Sequence, residues 1–182
     1  MPMEKTFREL VVCLRALGER IAELGILLND RPGKGPDSAI ADAYDYAVDD
    51  ATGWLGEALQ SASDAHRAVG EQVDMNRARR SLVKCQEKFR RVDEIFSGSL
   101  FSYERMKDLV RFGRERRGEW PSWAATVKSA IDSCRMPADD ARDAIAECWQ
   151  EIAERTGTSI SVQATNVGQV TGVAEGAETK EG

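Results

Sequence analysis

Phe7, Leu10, Leu14, Leu17, Ile21, Leu24 and Leu28 recur in alternating steps of three and four residues. That 3.5-residue period lines the side chains along one seam of a helix over 4–28, and the seam demands a partner helix to cover it. Val11, Val12 and Ile26 widen the apolar face beyond a two-helix seam, while Glu4, Arg8, Arg15, Glu19, Arg20 and Glu23 fall mostly on the other side. The segment NDRPGKGPD, with two prolines and two glycines, ends the helix.

The pattern returns further along. A second helix is expected from an N-cap at Asp37 or Ser38 to Val69, with the seam Ile40, Tyr44, Ala47, Ala51, Trp54, Ala58, Ala62 and Ala65. Its alanines let a neighbouring helix approach closely, and Gly53 and Gly56 are read as a bend. A third helix begins near Asp74, and Ala78, Leu82, Cys85, Phe89, Val92 and Phe96 form its seam. SGSLFS interrupts the chain, and Ser102 caps a fourth helix with Tyr103, Met106, Leu109, Val110 and Phe112. Gly118 and Pro121 precede a short fifth helix over 122–135, with Trp123, Val127, Ile131 and Cys134 on its apolar face. Pro137 is read as the first residue of a sixth, a position proline tolerates. Ala141, Ile145, Cys148, Trp149 and Ile152 follow, and Gly157 stops it.

Six helical segments joined by short loops predict an all-α, up-and-down antiparallel bundle with the shorter helices closing one side. No internal repeat points to a solenoid. At 182 residues the chain buries enough surface to need no metal or disulfide. The expected division is a helical domain over 1–157 and a tail over 158–182. The four cysteines, Cys13, Cys85, Cys134 and Cys148, lie beside aliphatic residues in helical patterns without CxxC spacing, so they read as buried small hydrophobes of a reducing compartment. The N-terminus lacks a signal peptide's uninterrupted apolar stretch, and no apolar run approaches the ~20 residues of a membrane span. A cytoplasmic protein with no membrane partner is expected.

Charge is distributed unevenly. Over 37–74 nine acidic residues face Arg67 alone, a net of −8, whereas over 76–117 thirteen basic residues face six acidic ones, a net of +7. The two stretches either pack on one another or are solvated, or the second offers a basic surface to an acidic protein or a nucleic acid. Arg77, Arg80, Arg91, Arg111, Arg114, Arg116 and Arg117 mark that surface, and Phe112 and Trp120 stand beside the last of them.

Catalytic motifs are missing. His66 is the only histidine, so neither a His-rich metal site nor the paired Glu-x-x-His of a di-iron bundle can be assembled. Asp42, Asp45, Asp49 and Asp50 read as a solvated acidic face rather than a magnesium site. Lys34 between two glycines lacks the spacing of a phosphate loop, and GxSxG and HExxH are absent. The expectation is a non-enzymatic protein without metal or cofactor.

The tail changes period. Ile160, Val162 and Ala164 alternate with Ser159, Ser161, Gln163 and Thr165, the signature of a half-buried strand. Val167, Val170 and Val173 continue sparsely among glycines, and AEGAETKEG reads as a solvated end. A lone strand cannot satisfy its own backbone, and no second strand is evident from the pattern. Three placements are open: disorder, a groove of the chain's own bundle, or addition to a sheet edge of another protein or a second copy. The functional expectation is a helical adaptor whose tail docks on a protein partner through Ile160, Val162, Gln163, Asn166 and Val167. The alternative is a nucleic-acid-binding accessory protein using the basic helices around 77–91 and 105–117.

If the seams are core, a carboxylate at Leu14 or Phe89 is intolerable. Thermal unfolding of Leu14→Asp and Phe89→Asp, followed by circular dichroism, should show no cooperative transition. A retained sharp transition in either variant would refute the seam assignment.

Overall fold

The computed structural model describes residues 2–33, 39–71 and 73–157, together with the backbone of two C-terminal strands. The expected N-cap of the second helix, Lys34, Asn166, Val167 and the end 175–182 lie outside the described residues. Five α-helices pack as a bundle: α1 (Pro2–Asn29), α2 (Ala39–Gly70), α3 (Met75–Ser97), α4 (Tyr103–Arg116) and α5 (Trp120–Thr156), with a 3-10 turn, Ser99–Phe101, between α3 and α4.

α1 is the centre of the fold. Its seven seam residues are all buried, and it packs between α2 and α5. Gly18 and Gly25 face Leu55 and Val48 of α2, while Leu27 O accepts from Trp123 Nε1 (2.7 Å) and Thr6 O accepts from Cys148 Sγ (3.7 Å). Both neighbours therefore run antiparallel to α1. Val11 joins the core, but Val12 (58% exposed) and Ile26 (61% exposed) do not, so the apolar face is narrower than its composition suggests.

The buried seam of α2 is Ala41, Tyr44, Val48, Ala51, Leu55, Ala58, Ala62, Ala65 and Val69. The sequence reading placed Ile40, Ala47 and Trp54 in it, one residue out of phase, and these three are only partly buried. α2 packs on α1 with one side and on α3 with the other, which leaves its flanks half covered. Gly53 and Gly56 interrupt nothing, because the helix runs continuously through both. On α3 every expected seam residue is buried, and the carboxylate of Asp74 caps the helix by accepting from the Arg77 amide (3.0 Å).

The 3-10 turn divides one side of the bundle. α3 (23 residues) and α4 (14 residues) together match the 37 residues of α5. α3 lies against the C-terminal part of α5 through Arg142–Asp93 and Trp149–Gln86, and α4 lies against its N-terminal part. Phe101 is buried at the turn against the rings of Tyr44 and Phe96. Tyr44 Oη donates to Leu100 O (2.8 Å) and Arg135 Nη2 to Phe101 O (3.0 Å), so carbonyls freed by the break find partners. Ser102 caps α4 as expected, accepting from the Arg105 amide. Where α4 meets α5, Gly113 is obligatory: a Cβ there would stand 2.7 Å from Ala124 Cβ. Of the apolar residues expected on α4, Tyr103 is exposed while Met106 and Leu109 are core.

The separate fifth and sixth helices are in fact one. Pro137 sits inside α5 rather than at the start of a helix. Ile131, Cys134, Ala138, Ala141, Ile145 and Cys148 form an unbroken buried stripe across it. Packing along α1 outweighs the lost backbone bond. The tail holds the second strand that the sequence pattern did not reveal. β1 (Ile160–Ala164) pairs antiparallel with β2 (Val170–Ala174) as a two-stranded sheet. Gly172 within β2 obscured it, since glycine is depleted in strands.

Pro137→Ala restores an amide donor to the interior of α5 and should stabilise the fold by about 1–3 kcal/mol, read as a raised melting temperature. A lowered one would show that the pyrrolidine ring contributes more by packing than its missing N–H costs.

Candidate interaction surfaces

The basic surface expected from the sequence separates into two parts with different fates. On α3, Arg77, Arg80, Lys84, Lys88 and Arg91 fall within roughly a quarter of the helix circumference at 3.6 residues per turn. Arg80 and Lys84 have no ion-pair partner among the described residues. Lys88 and Arg91 stand over the ring of Trp54 from α2, at 5.0 and 4.7 Å from its centroid, and Lys88 also reaches Glu57 (3.8 Å). Trp54 is thus a hinge point between the acidic and basic helices, held by cation–π attraction of about 0.5–2 kcal/mol per contact. Its half-buried position, one step off the seam, is the signal that places it there.

On α4 the arginines are largely occupied. Arg111 pairs with Asp108 at 2.6 Å. Arg116 lies over Phe112 (5.1 Å) and Trp120 (5.5 Å). Phe112, Trp120 and Trp123 form a chain of edge-to-face contacts that closes this end of the bundle. These aromatics serve packing, with Arg116 covering them. Arg114 and Arg117 remain exposed and lack an ion-pair partner among the described residues. Most ion pairs on the charged helices are local, joining residues three or four apart, such as Arg90–Glu94 (2.7 Å) and Lys107–Glu104 (3.5 Å).

A buried charge escaped the sequence reading. Asp93 is 5% exposed and accepts from Arg142 Nη2 at 2.5 Å, while Arg142 Nη1 donates to Asp139 (2.7 Å). Position 93 lies four residues after Phe89 and three before Phe96, on the core side of α3. The spacing was therefore a signal, and the residue's charge concealed it.

The cysteines are largely withdrawn from solvent. Cys85, Cys134 and Cys148 are buried and Cys13 is half-buried, and all four are free thiols. Burial pushes the Cys85 thiol up to about 12 and that of Cys134 up to about 11. It raises Cys148 too, helped by nearby Cys85 and by glutamates that include Glu147. Such thiols stay protonated and unreactive at neutral pH. Among the described residues no three His, Cys, Asp or Glu side chains are grouped to hold a metal ion, and no helix is long and apolar enough to cross a membrane. Asp42 is engaged by Arg31 (2.8 Å), and His66 is a boundary residue of α2.

In the tail, the register pairs Ile160 with Ala174, Val162 with Gly172, and Ala164 with Val170. Directly paired residues share a face of an antiparallel sheet. One face therefore carries Ile160, Val162, Ala164, Val170, Gly172 and Ala174, all apolar or small. The other carries Ser161, Gln163, Thr171 and Val173. Of the expected tail residues, Ile160 and Val162 are brought to one face and Gln163 to the opposite one.

No protein-family model, curated protein or solved structure matches this chain.

Removing one partner of the Asp93–Arg142 pair should act unequally. Arg142→Ala leaves a buried carboxylate without its cation and should cost about 3–5 kcal/mol in urea unfolding. Asp93→Ala, which leaves Arg142 with Asp139, should cost less. Equal or reversed costs would show that Asp93 gains little from its arginine.

Proposed function

We propose that this protein is a non-enzymatic helical interaction protein whose C-terminal segment docks on a partner protein. The observation that carries this reading is the register of the β1–β2 hairpin, which collects six apolar or small residues on one face. A two-stranded hairpin is marginal in water by itself and gains stability from a third strand or from cover over its apolar face. Each outer edge of such a pair also offers backbone N–H and C=O groups to an added strand. A partner sheet would supply both: main-chain bonds for affinity, and pockets for Ile160 and Val162 for specificity. The helical body, with every large seam residue of α1 and α3 buried, supplies a rigid support.

A second reading is favoured by the α3 stripe, where Arg80 and Lys84, without ion-pair partners among the described residues, stand beside Arg77, Lys88 and Arg91. That surface suits an anionic partner such as nucleic acid, and its binding would weaken steeply with salt and persist without the tail. The occupied arginines of α4 make this the lesser reading, and the net charge of −6 opposes indiscriminate binding.

The test uses full-length protein, the Ile160→Ser/Val162→Ser double variant and a form ending at Gly157, each as bait in lysate with and without nuclease treatment. Loss of the same captured protein from both altered baits, with an unchanged melting curve for the double variant, is the expected result. Equal capture by all three would remove the docking role of the tail. Capture that disappears only on nuclease treatment would establish the nucleic-acid reading instead.

A further inference from the structure

The surface groove between α1 and α2 has two adjoining parts of opposite character. The first is a cavity of about 530 Å³ where Arg8, Arg15, His66 and Arg67 stand with Glu4 and Glu71. The second, about 370 Å³, is an apolar slot over Leu14, Gly18, Ile21, Leu55, Gly56 and Leu59. Arg15 lines both and so sits at their junction.

The charges in the first part are unevenly satisfied. Arg8 is held by Glu4 at 3.2 Å. Arg15 and Arg67 have no ion-pair partner among the described residues. His66 Nε2 is closed off from solvent and has no hydrogen-bond partner among the described residues. Two exposed guanidinium groups without ion-pair partners among the described residues and the His66 ring thus line one cavity, and of these groups His66 Nε2 is the buried polar atom whose missing partner calls for an explanation. Val11 and Val12 give the same cavity an apolar wall, which continues into the slot. There a Cβ built on Gly56 would meet nothing within 4 Å, so the slot is open at that point. Glu4 is taken up by Arg8, which leaves Glu71 as the one carboxylate of the cavity set against the two cations Arg15 and Arg67, whereas in the slot Glu19 offsets Arg15, so the excess of positive charge lies at the His66 end.

We infer that this groove binds a soluble single-chain amphipathic anion. Its anionic head sits among Arg15, His66 and Arg67, and its apolar chain lies in the slot over Gly18, Leu55 and Leu59. Both parts are of the size that small ligands occupy. Charge complementarity selects the head, and the apolar slot beyond Arg15 selects the chain. This site is separate from the C-terminal hairpin and stands whether or not the hairpin docks.

The chain's single histidine supplies the readout, because His66 gives the only imidazole signals in a proton NMR spectrum. The probe is decanoate, titrated below its micelle-forming concentration into the full chain. Saturable movement of the His66 signals is expected. Arg15→Gln, which removes the head contact, and Gly56→Leu, which fills the slot from an open helical position, should each weaken the apparent affinity at least tenfold. Inorganic phosphate should move the same signals more weakly, with an affinity that Gly56→Leu leaves unchanged. Melting curves confirm that the variants are folded, and Gly56→Leu should not lower the transition, since leucine is the better helix former. Absence of a saturable shift would overturn the proposal, as would equal decanoate affinity in wild type and both variants. Decanoate-independent self-association that Gly56→Leu abolishes would overturn it in favour of a second copy as the occupant of the slot.

Discussion

The fold depends on covering α1 from two sides at once. Its buried face is too wide for one partner, since Leu10, Leu14, Leu17, Leu24 and Leu28 are wholly inaccessible and Val11 is nearly so. Each such leucine contributes about 1.5–3 kcal/mol when withdrawn from water. That requirement fixes α2 and α5 as its antiparallel neighbours, although 49 residues that include α3 and α4 separate these two helices in the chain. Gly18 and Gly25 let α2 close in, and the alanines of α2 let both α1 and α3 approach it. The polar ends of the aromatics are then matched across helices: Trp123 to Leu27 O, Trp149 to Gln86, and Tyr44 to Leu100 O. Each locks the axial position of one helix against another, which hydrophobic burial alone leaves loose.

Much of this was legible in the sequence because the 3.5-residue period carries its own phase. The seams of α1 and α3 were readable residue by residue. α2 was readable as a helix, and Tyr44, Ala51, Ala58, Ala62 and Ala65 of its expected seam are buried, but the bulky Ile40 and Trp54 drew part of the seam one residue out of phase. Pro137 misled for a different reason. Its local preference for a helix start is real, but the packing of α5 on α1 acts over a longer range than propensity does. The second strand was hidden by glycine, and Asp93 by its charge.

The surfaces were less legible than the core. Composition marked 76–117 as basic, but it could not separate cations that are spent on the fold from cations that are available. Arg116 lies over two aromatic rings and Arg111 is held by its neighbour one turn away, whereas Arg80 and Lys84 have no ion-pair partner among the described residues. The distinction arises from which rings and carboxylates the packing brings within reach. The α1–α2 groove was invisible for the same reason: Arg15, His66 and Arg67 belong to helices whose relative register no local pattern records.

The short turn between α3 and α4 is tied through main-chain oxygens, those of Leu100 and Phe101, to side chains on two different helices. An acceptor of that kind belongs to a position in the chain and not to a residue type. The tie from Tyr44 would therefore survive a change of side chain at position 100. One residue added or removed between Gly98 and Ser102 would carry both acceptors out of reach together and rotate α4 against α5, driving the close contact at Gly113 out of register. This segment is constrained by its length more than by its composition, so drift within it should leave substitutions at position 100 but few insertions or deletions.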